Sequence, residues 1–165
     1  MVADFYFGAF PTVLDEAGRI TVPRRFREIM ERHDRYTWFI TPGLNGNLYL
    51  YDREQWAKLL EQNQKAHATT NQATHQFFSF GYGCTVETRV DRQGRMPVPQ
   101  SVRSLIGVER EVVLVGVQDR LELWNKDAWE AFCRDMWPKF GTRATDLEAQ
   151  SRQSASGSQE KGGES

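Results

Sequence analysis

A ten-residue block occurs twice in this chain, and that repeat constrains the fold more than any other feature. Leu14-Asp15-Glu16-Ala17-Gly18-Arg19-Ile20-Thr21-Val22-Pro23 returns 76 residues later as Val90-Asp91-Arg92-Gln93-Gly94-Arg95-Met96-Pro97-Val98-Pro99. Each closing proline is followed four residues on by an arginine, Arg27 or Arg103. The likeness then continues at an offset of 73, where Gly43, Leu48, Leu50, Tyr51 and Trp56 match Gly116, Leu121, Leu123, Trp124 and Trp129. Two copies of a unit of roughly fifty residues lie head to tail.

Each copy has the same local grammar. Phe5 to Leu14 and Cys84 to Val90 are rich in aromatic, Thr and Val residues and read as strands. Asp-x-x-Gly-Arg predicts a tight turn, because Asp can bond the turn's own backbone and Gly tolerates a left-handed conformation. A short strand follows, and Pro23 and Pro99 then suit the start of a helix whose stripe is Phe26, Ile29, Met30 and His33 in one copy and begins Val102, Leu105 and Ile106 in the other. A second hairpin comes next. It is Thr37–Ile40 with Leu48–Tyr51 around Pro42-Gly43 and Asn45-Gly46, and then Val112–Val117 with Arg120–Trp124 around Gln118-Asp119. Each copy closes with an amphipathic helix, the first capped by Asp52 with Gln55 as capping partner, the second by Asn125. The second carries Trp129, Phe132, Cys133, Met136 and Trp137, a stripe heavy enough to predict packing on the sheet or on a neighbouring subunit.

With 39% hydrophobic and 26% charged residues, the chain can bury a modest core. No apolar run approaches a membrane span, and the start carries no signal-peptide pattern. Two cysteines, Cys84 and Cys133, exclude a disulfide framework and a four-thiolate zinc site. The net charge of −1 argues against a uniformly basic nucleic-acid binder. Its distribution argues otherwise: of the 21 cations all but Lys58, Lys65, Lys126, Lys139 and Lys161 are arginine, and they crowd around the two repeated turns.

Catalysis finds no foothold. His33, His67 and His75 lack metal-ligand spacing, the two cysteines read as packed thiols, and no phosphate-cradling Gly-rich loop precedes a helix. Asp15 and Asp91 could meet as a proton-sharing pair, but each is followed by the Gly-Arg of a turn, which is the simpler role. The arginines are the candidates for function. Arg19 and Arg95 follow the turn glycine, Arg27 and Arg103 lie one turn into the next helix, and Arg24, Arg25, Arg89 and Arg92 enlarge the same surface. Arginine's planar fork suits phosphate oxygens and the edge of guanine. Taken alone, each Asp-Arg pair reads as bracing of its own turn. Repeated with the same downstream Pro and Arg, the set points to a nucleic-acid surface.

These residues resemble the MraZ family, built from two tandem SpoVT-AbrB (swapped-hairpin AbrB-like) domains. The resemblance rests on Leu14 to Arg19 with Val22-Pro23 and Phe26-Arg27, on Val90 to Arg95 with Val98-Pro99, and on Val113 to Arg120 through Trp124 and Trp129, and covers about residues 5–137. It implies a mainly β fold with short helices (α+β), in which the two units form a pseudo-symmetric double barrel and each is followed by an amphipathic helix. It implies domains at 5–54 and 81–127, a helix and polar connector at 55–80 and a C-terminal amphipathic helix at 128–142; beyond these, the Ser-, Gln-, Gly- and Glu-rich composition reads as a disordered tail at 143–165. The implied activity is that of a sequence-specific DNA-binding repressor of its own division and cell-wall gene cluster. Such a regulator would bind repeated promoter elements in double-stranded DNA as a homo-oligomeric ring, in the cytoplasm and on the nucleoid, with no cofactor, metal, membrane or small-molecule substrate. Arg19, Arg24, Arg25, Arg27, Arg92, Arg95 and Arg103 are the expected DNA-binding residues, while Asp15, Gly18, Asp91 and Gly94 structure the turns. Three features depart from the family's pattern. The stretch Ala73-Thr74-His75-Gln76 lacks arginine, Pro97 sits in the second short strand where it removes a ladder donor, and the polar tail has no counterpart. The alternative is a ring-forming protein-interaction module whose arginines only brace turns; an antitoxin-like repressor and an enzyme rank lower.

Overall fold

The computed structural model describes residues 4–68 and 71–157. Its strands are β1 (Tyr6–Val13), β2 (Arg19–Thr21), β3 (Thr37–Pro42), β4 (Leu48–Asp52), β5 (Val86–Arg89), β6 (Arg95–Pro97), β7 (Glu111–Gln118) and β8 (Arg120–Asn125). Helices α1 (Arg24–Arg32), α2 (Arg53–His67), α3 (Gln72–Gly83), α4 (Gln100–Leu105), α5 (Lys126–Met136) and α6 (Phe140–Gly157) punctuate them, with a short 3-10 turn at Trp137–Lys139. The chain divides into two compact units, one running through Ala128 and holding all eight strands, the other beginning at Trp129.

The two copies are exchanged rather than side by side. Six strands form one antiparallel sheet in the order β1-β7-β8-β4-β3-β5, and β2 pairs with β6 in a separate two-stranded ribbon. The leading strand of the first copy, β1, therefore lies on β7 of the second, while β5 of the second lies on β3 of the first. The order reads the same from either end once the copies are interchanged. This is an α+β fold of tandem units, but the double barrel is not formed: β1 and β5 each have one neighbour, so the sheet stays open at both edges. Closure requires the outer edges of the two terminal strands to pair with each other, and β1 and β5 each pair on one side only, with β7 and β3.

One core serves both copies. Tyr6, Ile20, Phe26, Trp38, Ile40 and Leu50 from the first pack with Met96, Val98, Val102, Leu114, Leu121 and Leu123 from the second, all buried. Tyr6 meets Phe26 and Trp38 edge-on, with centroids 5.5 and 5.7 Å apart. The copies are also tied by a buried polar clasp. Glu122 accepts from Asn47 Nδ2 at 2.8 Å, from Trp124 Nε1 at 3.0 Å and from Arg120 Nη2 at 2.8 Å, so its charge is fully engaged.

Local signals hold where they rest on neighbouring residues. Asp52 Oδ1 accepts from the Gln55 amide at 2.9 Å and starts α2, and Asn125 Oδ1 accepts from the Asp127 amide at 3.0 Å. The match of Gly43 to Gly116 does not hold. Trp38 sits opposite Asp52 as Val112 sits opposite Asn125, so β3 and β7 are offset by 74 and Gly116 corresponds to Pro42; the change from 74 to 73 falls inside the β3–β4 and β7–β8 turns, which differ by one residue. Gly116 faces Gly8 across the β1–β7 ladder, and a Cβ there would overlap the backbone of Tyr6 and Phe7.

On the C-terminal side one expectation changes. No residue of α5 is buried; the Trp129 and Phe132 rings stack at 5.8 Å, while Trp137, Phe140 and Leu147 are largely exposed. From residue 143, where a tail without regular structure was expected, α6 continues to Gly157. Ala144, Leu147, Glu148, Ala149, Gln150 and Arg152 are strong helix formers, and that propensity outweighs the shortage of apolar side chains. Residues 158–165 of the expected tail lie outside the described residues.

Candidate nucleic-acid interface

The two repeated turns have the same geometry to within a tenth of an ångström. In the first, Asp15 Oδ1 accepts from the Ala17 and Arg19 amides at 2.9 Å each, and Oδ2 accepts from Arg19 Nε at 2.9 Å. In the second, Asp91 makes the same three bonds to Gln93, Arg95 and Arg95 Nε at the same distance. Gly18 and Gly94 adopt φ of 74° and 76°, the left-handed conformation that closes each turn. The Arg19 amide, then the Arg19 guanidinium, hold the Asp15 carboxyl below its ordinary range, and the Arg95 groups do the same for Asp91. Both acids thus stay ionised and orient an arginine through its Nε, while the Nη atoms of each guanidinium make no hydrogen bond to the carboxylate.

The ribbon between the turns decides where those forks face. Arg19 pairs with Pro97, Ile20 with Met96 and Thr21 with Arg95. Side chains opposite one another share a face, and successive residues alternate. Ile20 and Met96 are therefore on the inner face, both fully buried, and Arg19 and Arg95 are together on the outer one. They are diagonal neighbours across the ribbon, a relation that separates α-carbons by about 7–8 Å. The flanking bonds Val22 N–H to Gly94 O (2.8 Å) and Val98 N–H to Gly18 O (2.9 Å) lock the ribbon at both ends. Since hydrogen-bonded and open pairs alternate in an antiparallel ladder, these bonds put Arg19–Pro97 at an open position. Pro97 therefore removes no ladder donor, and the second strand keeps its register.

The helix arginines are exchanged between copies as the strands are. A Cβ at Gly94 would overlap Arg27 Cδ, and one at Gly18 would come within 2.9 Å of Arg103 Nη2. Each turn glycine thus makes room for an arginine of the other copy, so Arg27 lies beside Arg95 and Arg103 beside Arg19. From sequence, Arg27 was expected to extend the surface of its own hairpin. Arg103 is fixed by its Nε donating to Val98 O at 2.8 Å, whereas Arg27 Nε is buried with no hydrogen-bond partner.

The other cations differ in how they are held. Arg24 pairs with Glu28 at 2.9 Å on the exposed side of α1. Arg25 lies over the Phe7 ring at 3.5 Å, a cation–π contact on an exposed aromatic. Arg92 is exposed at the second turn. Arg89 also lines a cleft with Arg27 and Arg92; its only sequence signal was proximity to the second turn. Tyr36 and Glu31 share that cleft, and neither carried a signal, because they come from the other copy. Among the described residues no group of three or more His, Cys, Asp or Glu could hold a metal ion, and no helix is long and apolar enough to cross a membrane.

Comparison with known proteins gives one consistent result. The model of the MraZ protein family, described as antitoxin-like, matches residues 5–78 and 82–152. The transcriptional regulator MraZ of Limosilactobacillus reuteri (strain DSM 20016) is 34% identical over 140 residues, spanning 85% of this chain and 95% of that protein. The regulator of the same name from Lactiplantibacillus plantarum is 33% identical over 142 residues, 86% and 97% of the two chains. That from Alkaliphilus metalliredigens is 35% identical over 130 residues, 79% and 87%.

Proposed function

Because the chain belongs to the MraZ family, we propose that it is a DNA-binding transcriptional regulator, not an enzyme, and that the β2–β6 ribbon is its reading element. The observation that carries this is the shared outer face of Arg19 and Arg95, each held by an aspartate through Nε with its Nη atoms making no hydrogen bond to that aspartate. The major groove of DNA admits a two-stranded ribbon, and the preferred partner of a presented arginine fork is the O6/N7 edge of guanine. The diagonal spacing of the pair corresponds to about two base-pair steps of 3.4 Å. Arg27, Arg103, Arg24, Arg25 and Arg92 flank this pair and act on phosphates, which set position rather than sequence.

A single ribbon offers few cations, so one subunit binds weakly and assembly supplies the affinity. We place the chain in a homo-oligomeric ring on repeated promoter elements, where it represses its own division and cell-wall gene cluster. Neighbouring subunits on neighbouring repeats gain from high effective concentration. The exposed Trp137, Phe140 and Leu147 offer apolar surface for subunit contacts.

The test is binding to double-stranded DNA from upstream of the chain's own gene, titrated against salt, with oligomer size checked for each variant. Arg19→Ala and Arg95→Ala each lose about 1–3 kcal/mol of affinity and relax sequence preference, and the double variant loses more. Unchanged binding in the double variant would sink the proposal and leave a protein-interaction module whose arginines brace turns.

A further inference from the structure

The two turns share a backbone but not their surroundings. Between α1 and the second turn lies a cleft of about 660 Å³ into which three arginines converge from three elements: Arg27 from α1, Arg89 from the end of β5 and Arg92 from the turn itself. Among the described residues the side chains of Arg27 and Arg92 make no hydrogen bond or ion pair. Arg89 makes only a 3.5 Å approach to Thr37 Oγ1 and lies 5.9 Å from the Tyr36 ring centroid. Two acids share the cleft. Asp91 is engaged on both oxygens by Arg95 and the turn amides, so Glu31 is the one carboxylate not already matched, against three cations.

The symmetry-related place on the other side is different in kind. Arg92 is replaced by Glu16, Arg89 by Val13, and the equivalent of Arg27 is Arg103, whose Nε is committed to Val98 O. An arginine does stand at the position of Tyr36, but this Arg110 lies in a separate cleft with Glu109, Glu111 and Asp127. Pseudo-symmetry fixes the backbone on both sides, so the three converging arginines are an addition to one side and not a requirement of the fold.

We propose that the Arg27–Arg89–Arg92 cleft is a binding site for a phosphate group, either of the DNA backbone or of a soluble phosphate ester. Three guanidinium groups from separate elements surround a tetrahedral anion better than they brace one another, since like charges held together cost energy until an anion joins them. The volume admits the phosphate with the sugar or alcohol it esterifies. For the DNA source the site rests on the function proposed above, and it adds beside the reading Arg95 of the second turn a phosphate anchor that the first turn lacks; for the soluble source it stands independently.

The experiment uses the full chain as wild type, Arg89→Gln/Arg92→Gln and Glu16→Arg, with circular dichroism confirming the fold of each. One arm follows binding of inorganic pyrophosphate by calorimetry. The other measures the salt dependence of affinity for the upstream DNA. We expect pyrophosphate binding in the wild type to be lost in the double variant. The slope of log affinity against log salt should fall by about one in the double variant and rise by about one in Glu16→Arg. A change in pyrophosphate binding alone identifies the soluble source; a change in the DNA slope alone identifies the backbone. If the chain binds no DNA, the functional proposal fails and the pyrophosphate arm alone decides this one. Wild-type behaviour of the double variant in every arm overturns the site.

Discussion

The first and second turns, Asp15–Arg19 and Asp91–Arg95, are copies in backbone and opposites in charge. Every hydrogen bond that shapes one has its counterpart in the other, with lengths that agree within 0.1 Å. Yet Glu16 stands where the second has Arg92, and the helix packed on the first turn offers Gln100, Ser101 and Arg103, where the helix packed on the second offers Arg24, Arg25 and Arg27. Because the helices are exchanged, the arginine-rich helix of one copy meets the arginine-rich turn of the other. The surplus gathers on one side of the pseudo-dyad. Backbone symmetry and surface asymmetry are thus independent properties of the same repeat, the first set by packing and the second free to vary.

The largest expected effect tests the symmetric part. Glu122→Ala removes the carboxylate that joins Asn47 of one copy to Trp124 and Arg120 of the other, and should cost about 3–5 kcal/mol in denaturant unfolding, since the buried Asn47 and Trp124 donors and the half-buried Arg120 all lose their acceptor. Gly116→Ala follows. The added methyl overlaps the backbone of β1, so a loss of about 1–3 kcal/mol is expected, with β1 released before the rest in hydrogen exchange.

Glycine-to-alanine changes at the turns then separate the two sides. Both Gly18→Ala and Gly94→Ala pay about 1–2 kcal/mol for the left-handed backbone. Gly94→Ala should be the worse in thermal melting, because its methyl strikes the middle of the Arg27 side chain, whereas at Gly18 the obstacle is the movable end of Arg103. Equal losses would mean that the helix arginines are not seated as described.

Asp15→Asn and Asp91→Asn should lower the melting temperature slightly and to the same extent, as their bonds are the same. Each carboxyl has its native pKa lowered, so its stabilising effect is present at neutral pH and lost as the pH falls below about 4, through the unfolded and then the native value. The asparagine variants should lose that part of the pH dependence. The smallest effect belongs to Arg24→Ala, whose pair with Glu28 is exposed; stability should stay within about 0.5 kcal/mol.

What the sequence made legible was whatever a few adjacent residues decide. The Asp-x-x-Gly-Arg turns, the prolines that open α1 and α4, and the Asp52 cap each depend on atoms within five positions of one another. Partner choice does not. Nothing in β1 or β5 says that each will leave its own copy, because an alternating apolar pattern fits either neighbour. For the same reason Arg27 could be assigned to a surface but not to its seat on Gly94, and Tyr36 and Glu31 could not be assigned to the second turn at all. The open sheet was hidden too, since closure depends on which edges meet. Over α6 composition misled, because low apolar content says little about helix propensity.

The bonds from Val22 to Gly94 and from Val98 to Gly18 carry one more consequence. Two identical chains interlocked in this way would have to bear every substitution twice, once on each side. Joining them into one chain removes that rule: a residue such as Glu16 or Arg92 can change on one side and leave the other untouched. Covalent linkage thus turns a symmetric scaffold into one with a direction, whose two sides are free to acquire different chemistry.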